Sequence, residues 1–339
     1  MSKRNSDKVL IVKPVPVPPG YDHPEPPNQV LPKHEFTLGL IAPKGAGKTT
    51  LIANLLYWFK DYFNDIFIFS PTVLSDEKWD WLKTQKLLLE NKPLKAWIKK
   101  EQQRRDGLLG DEIVGKPKIG SEFDDKNTNE KEIWDGKIPE ENFFYEYTEE
   151  TLDKILSRQK QIINVLKKHD QPKYLADRIL LIFDDLVGSA LFSNAKDNLF
   201  KGFNTRHRHF SASVIMVSQG YKEIPKTIRT NWSALILFEI ANDKEVEVIY
   251  EENTMGMKKD DWLEMYKYAI EEPFSFMYMN SKKPKHLRIM KRFDRYLFHK
   301  PDPPKHSFDD EIDITMKNED EYQNAKKKGK VPNKRRKLK

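Results

Sequence analysis

Apolar positions in this chain fall into short unbroken runs separated by longer amphipathic stretches. The runs are FTLGLI (36–41), IFIFS (66–70), ILLIF (179–183), SASVIMVS (211–218) and SALILFEI (233–240), followed by PFSFMYMN (273–280) and KHLRIMKRFDRYLF (285–298). Their length and β-branched content predict buried strands. Between them, TLIANLLYWF, DEKWDWLKTQKLLLENKPLKAWIKK, YTEETLDKILSRQKQIINVLKKHD, AKDNLFKGFNTRHRH, KEVEVIYEEN and KKDDWLEMYKYAIEE read as helices, with a further short helix after Pro225. In the third of these, Thr148 or Thr151 stands near the start and Lys-Lys-His near the end, as helix caps and dipoles favour. Strands alternating with helices predict an α/β fold, with a mostly parallel central sheet flanked by helices. IFIFS is expected as a parallel strand next to FTLGLI, completing one βαβ unit. The last two runs are expected to close the sheet.

The first junction carries chemistry. APKGAGKTT, Ala42 to Thr50, joins the first strand to the first helix. A loop that wraps a phosphate chain must aim several backbone N–H groups inward, and Gly45 and Gly47 permit the dihedrals this needs. The following helix offers free N–H groups and the positive end of its dipole. Lys48 would reach the β/γ-phosphates and the Thr49 hydroxyl would ligate Mg2+. The loop Ala42, Pro43, Lys44, Gly45, Ala46, Gly47, Lys48, Thr49, Thr50 is therefore the expected ATP site. Ala42 stands where the strict motif has glycine, and is the smallest replacement. The alternative is an ordinary strand–turn–helix with an incidental GKT; the correct context argues against it.

ILLIFDD ends in Asp184 and Asp185, the pattern of a buried strand that delivers carboxylates to a nucleotide. Asp184 would hold Mg2+, and Asp185 would orient the attacking water. Taken alone the pattern is equally a strand end with a turn; after a phosphate loop it gains meaning. Gln219, at the carboxyl end of the next run, is placed to sense the γ-phosphate or position water; locally it could instead satisfy backbone. Arg206 and Arg208 lie in the turn RHRH before that run, and Arg229 follows Pro225. Any of them could act as an arginine finger on a neighbouring subunit, contact DNA phosphates, or be plain surface charge. His207 and His209, with no acidic companion, do not suggest a metal site.

Composition refines this picture. Of 339 residues, 38% are hydrophobic and 33% charged, polar enough to imply long solvated segments around a normal core. The absence of cysteine excludes disulfides, thiolate metal sites and a cysteine nucleophile. No run has the length of a membrane span and MSKRNSDK lacks a signal-peptide core, so a soluble intracellular protein is expected. The net charge of +7 is compatible with a polyanionic partner, although much of it sits in the closing KKKGKVPNKRRKLK. That tail reads as disordered, and as a nuclear-import signal, a nucleic-acid contact or a solvated end. The expected division is a Pro-rich arm over 1–33, more a linker than a docking segment, an ATPase domain over 34–300, and a disordered tail over 301–339. Within the domain, 75–177 reads as a charged helical insertion with a mobile loop near 107–141.

In series, APKGAGKTT, IFIFSPT, ILLIFDD, TRHRHFSASVIMVSQ, IPKTIRTN and LILFEIAN resemble the DNA-packaging ATPases of large eukaryotic DNA viruses, virophages and polinton-like elements. These form the poxvirus-type branch of the FtsK–HerA group of P-loop motors. The resemblance covers about Phe36 to Phe298, loosely over the insertion. It implies a RecA-like ATPase fold, ATP-driven translocation of double-stranded DNA into a preformed capsid, and a homo-oligomeric ring completed by an arginine in trans. It also implies backbone rather than base contacts with DNA, capsid vertex proteins as partners, and residence in a host virus factory, the nucleus or the virion. On its motifs fall Lys48 and Thr49, Asp184 and Asp185, Gln219, and the arginines Arg206, Arg208 and Arg229. The alternatives are a DNA-transfer translocase of a plasmid or mobile element, and an ATP-binding switch or scaffold without a motor cycle. A replicative helicase is disfavoured, as no separate DNA-binding domain is apparent.

Overall fold

A computed structural model describes residues 22–105, 134–186, 188–192 and 198–297. The calls on 1–21, on most of the 107–141 loop and on the tail from 301 lie outside the described residues. Among the described residues the strands form one nine-stranded sheet. They are β1 (Thr37–Ile41), β2 (Asp65–Phe69), β3 (Phe143–Phe144), β4 (Ile179–Asp184), β5 (Ala212–Ser218), β6 (Ala234–Leu237), β7 (Met277–Asn280), β8 (Ile289–Lys291) and β9 (Arg295–Tyr296). Their spatial order is β3-β2-β4-β5-β1-β6-β7-β8-β9. The six strands from β3 to β6 are parallel, whereas β7, β8 and β9 add antiparallel. The mostly parallel α/β fold read from the sequence is therefore the observed one.

Two expectations need correction. β2 is not next to β1: it pairs with β3 and β4, and both β4 and β5 lie between it and β1. Strand–helix–strand order gives no register, and the central places went to the runs buried at every position, ILLIFD and ASVIMVS. The closing run 285–298 gives two strands rather than one. It breaks after Lys291, where Arg292 adopts a left-handed φ of 51°, and turns back as β9.

Both faces of the sheet are covered, so the strands are apolar throughout instead of alternating. Leu38, Leu40, Ile68, Ile182, Ile215 and Ile236 face helix α1 (Lys48–Trp58) and Trp79 and Leu82 of α2 (Glu77–Thr84). On the other side, Phe67, Phe183, Val214 and Leu235 lie in a second cluster. That cluster includes Ile155 of α4 (Glu149–Lys168), Phe203 of α5 (Leu199–Arg206), Ile249 of α7 (Asp243–Glu252) and Trp262 of α8 (Lys259–Ile270). Between β2 and β3 also runs α3 (Lys92–Arg105), and the short α6 (Lys226–Arg229) follows Pro225.

Part of the 75–177 segment is built into this domain: β3 pairs with β2, and α4 buries Leu152, Ile155 and Leu156. The Thr148 hydroxyl caps α4 by accepting the Thr151 N–H at 3.1 Å. The described end of the N-terminal arm is docked rather than free. Leu31 is buried, the Tyr62 hydroxyl donates to the Pro24 carbonyl at 2.9 Å, and the Tyr278 hydroxyl donates to the Val30 carbonyl at 3.1 Å.

Candidate nucleotide site

The carboxyl ends of β1, β5 and β4 lie side by side, because Ile41 is in register with Ser218 and Val217 with Asp184. The loop from Ala42 to Gly47 springs from that edge. Its first residue is anchored by the Ala42 N–H donating to the Ser218 carbonyl at 3.1 Å. Ala42 is wholly buried. Gly45 and Gly47 have φ of 81° and 93°, the left-handed region in which a side chain would be strained. Gly47 is the N-cap of α1 and supplies no side-chain cap, so the first helical N–H groups keep their capacity for an incoming anion. The Lys48 ammonium rests on the Ala42 carbonyl at 3.1 Å, folded over the loop.

Asp184 closes β4 and is buried. Its Oδ2 accepts the Ser70 hydroxyl at 2.8 Å, while Oδ1 has no hydrogen-bond partner among the described residues. Burial pushes its pKa up to about 6; the Ser70 bond opposes this, neighbouring Asp185 adds to it, and the Lys48 charge pulls it back down. A buried carboxylate oxygen without a partner, near a lysine and at the mouth of a glycine loop, fits a divalent cation with a phosphate chain. Thr49 and Asp184 would hold that Mg2+.

Asp185 leaves the strand with φ 51° and is half-buried. Its Oδ2 accepts the Gln219 amide at 2.8 Å. The structure thus brings together Lys48, Asp184, Asp185 and Gln219, which come from three parallel strand ends. The arginines are elsewhere. Arg206 ends α5, and Arg208 is in the 3-10 turn His207–Phe210 that precedes β5. Both are exposed and lie at the amino end of β5, across the sheet from their own chain's loop. Arg229 is buried and fully engaged: Nε and Nη2 donate to the two carboxylate oxygens of Glu252 at 3.0 and 2.8 Å, and Nη1 donates to the Ile224 carbonyl. His207 is likewise buried, with its ring nitrogens at the Asn204 and Glu35 carbonyls.

Two polar residues at the site were not foreseen. Ser70 orients Asp184, and is itself 3.0 Å from the Thr72 hydroxyl, which accepts the Trp79 indole N–H at 3.1 Å. Asp76 caps α2 and has its pKa held down: burial works the other way, but the Lys78 N–H, the Lys78 ammonium and the Thr49 hydroxyl together prevail. Ser70 follows IFIF directly, so the rule that strand ends carry the site would have found it. Asp76 stands before EKW as an ordinary N-cap, and only the fold shows that it faces Thr49.

A glycine loop at a helix N-terminus, on the carboxyl edge of a mostly parallel sheet with an acidic pair two strands away, defines a P-loop nucleoside triphosphatase fold. Residues 129–273 match the family described as Poxvirus A32 protein. That segment holds the acidic pair, the Arg-rich turn, the Gln219 strand and IPKTIRTN, so the resemblance drawn from those motifs is borne out. No curated protein matches. Solved structures that match include the genome-packaging NTPase B204 of Sulfolobus turreted icosahedral virus 2 in complex with AMPPCP. It is 11% identical, with a TM-score of 0.45 over 79% of this chain and 98% of that one. They also include B204 of Sulfolobus turreted icosahedral virus, described as a DNA-packaging ATPase (14%, TM-score 0.39, 79% and 98%). A third is the pCW3 conjugation coupling protein TcpA with ATPgS (12%, TM-score 0.39, 74% and 58%). Among the described residues no helix is long and apolar enough to cross a membrane.

Proposed function

We propose that this chain is an ATPase that drives double-stranded DNA into a viral capsid as a ring of identical subunits. The observation that carries the hydrolytic part is the meeting of Lys48, the bare Oδ1 of Asp184, and the Asp185–Gln219 pair at one sheet edge. The phosphates of ATP would lie over Ala42 to Thr50, with Lys48 on the β/γ end. Mg2+ held by Thr49 and Asp184 would neutralise charge on the phosphate oxygens. Asp185 would accept a hydrogen bond from the attacking water and aim it at the γ-phosphorus; ATP and water then give ADP and phosphate. Gln219, bonded to Asp185, would register the loss of that phosphate. Arg206 and Arg208, exposed and remote from their own loop, suit a finger offered to the next subunit. Arg229, saturated by Glu252, suits a structural tie. The packaging role leans on the match to the Poxvirus A32 family. DNA would be held through its phosphates, since packaging must tolerate any sequence.

The test is ATP turnover of the full chain with and without double-stranded DNA, alongside its oligomeric mass. Turnover is expected to rise with DNA at low salt, to fall back as salt is added, and to vanish in Lys48→Ala. A monomer whose turnover ignores DNA would end the translocase reading, and an active Lys48→Ala would end the nucleotide site.

A further inference from the structure

Beside the phosphate loop lies a cleft of about 810 Å3, within the size range of small-ligand sites. One rim is the loop itself, Ala46, Gly47 and Thr50. The opposite wall is a continuous set of aromatic rings. Trp58 meets Phe293 edge-on with centroids 5.4 Å apart, Phe293 meets Phe276 at 5.2 Å, and Phe276 meets Phe238 at 5.1 Å. These rings come from the end of α1, the β8–β9 turn, the start of β7 and the end of β6.

Direction decides what belongs there. In a phosphate loop the lysine marks the β/γ end, and the acidic strand lies beyond it. Here that strand, β4, is two places to one side of β1, with β5 between. The aromatic wall is built from β6, β7 and β8 on the other side of β1. A triphosphate with its γ end towards Asp184 must leave the loop, α end first, across Gly47 and Thr50, and that is where the cleft opens.

Phe274 stands at this exit. It is 70% exposed, and its backbone has φ of 60°, a conformation costly for a bulky side chain. Its ring lies 3.5 Å from the place a Cβ on Gly47 would occupy. An exposed ring, kept beside the loop by a strained backbone, has no core to serve.

We infer that the cleft takes the nucleoside end of the bound triphosphate, with the base stacked on Phe274 and the Trp58–Phe293 wall behind it. The inference rests on the nucleotide reading above and assigns the half of the ligand that reading leaves unplaced. The polar rim is partly committed: the Asn54 amide donates to the Thr50 carbonyl at 2.8 Å and Asn28 accepts the Val30 N–H at 2.9 Å, whereas Arg292 on the same rim has a buried Nε with no hydrogen-bond partner among the described residues.

The experiment compares equilibrium binding of ATP and of inorganic tripolyphosphate, both with Mg2+, to the full chain. Tripolyphosphate fills the loop and lacks the nucleoside. Phe274→Ala is expected to weaken ATP about tenfold, the scale of one lost base–aromatic stack, and to leave tripolyphosphate unchanged. Phe274→Trp should restore ATP binding. Phe274→Gly, which suits a left-handed backbone, repeats the truncation without strain. Equal binding of ATP by wild type and both truncations would overturn the assignment, as would parallel loss of both ligands. Failure of wild type to bind either ligand would instead overturn the phosphate-loop reading, and the assignment with it.

Discussion

Asp184 commits one carboxylate oxygen to Ser70 and leaves the other bare, so its charge state bears on stability and, on the proposed function, on cation binding. Its folded pKa of about 6 lies above the ordinary 3.8, so the native chain keeps a proton that the unfolded chain releases. The stability this gives is complete below 3.8 and is lost as pH rises through about 6. A shift of this size is worth about 3 kcal/mol at most. Asp184→Asn should therefore melt higher than wild type at about pH 7.5 without nucleotide or Mg2+, and the gap should close near about pH 4, as thermal unfolding at the two values would show. Mg2+-dependent nucleotide binding should follow the opposite course, failing as pH drops through about 6. The two aspartates were legible as a pair because nothing else ends an apolar run so abruptly. What the sequence did not show is Ser70, whose hydroxyl, from a different strand, holds one oxygen of Asp184.

At the level of elements, β1 is defined as much by what it lacks as by what it buries. The Trp232 ring lies across Gly39, so close that a Cβ there would come within 2.4 Å of it. Gly39→Val should accordingly cost about 3 kcal/mol or more through overpacking, measured as a lower denaturation midpoint. The loop should suffer with it, since Ala42 hangs from the same strand. Strand positions were readable wherever burial on both faces removes polar interruptions. Their order was not, because pairing partners are chosen by packing among runs far apart in sequence. The helix α4 was legible nearly to its caps: the sequence offered Thr148 or Thr151 near the start and Lys-Lys-His near the end, and the caps are Thr148 and His169, because capping is a local contest between side chain and backbone. The break at Arg292 escaped notice, since KRFDR carries no glycine or proline to announce a turn.

For the whole molecule, the decisive fact is that the two candidate finger arginines and the nucleotide loop occupy opposite edges of one sheet. A site that needs both must draw them from different copies. Lys48→Ala and Arg208→Ala, each expected to be inactive alone, should recover part of their ATP turnover when mixed; if mixing restores nothing, Arg208 does not act across subunits, and the same assay applies to Arg206. Sequence could flag these arginines but not sort them, because the pairing of Arg229 with Glu252 is a contact between α6 and α7 that only folding creates. The aromatic cleft was equally hidden, its rings being spread over four elements that each look like ordinary core.

β5 has a mechanical meaning as well as a structural one. It is seven residues of extended chain, about 23 Å long, and laced to β1 and β4 along both sides. Gln219 follows its upper end, and Arg208 precedes its lower one. A rod held this way bends little, which fixes the separation between the glutamine beyond one end and the arginine turn before the other.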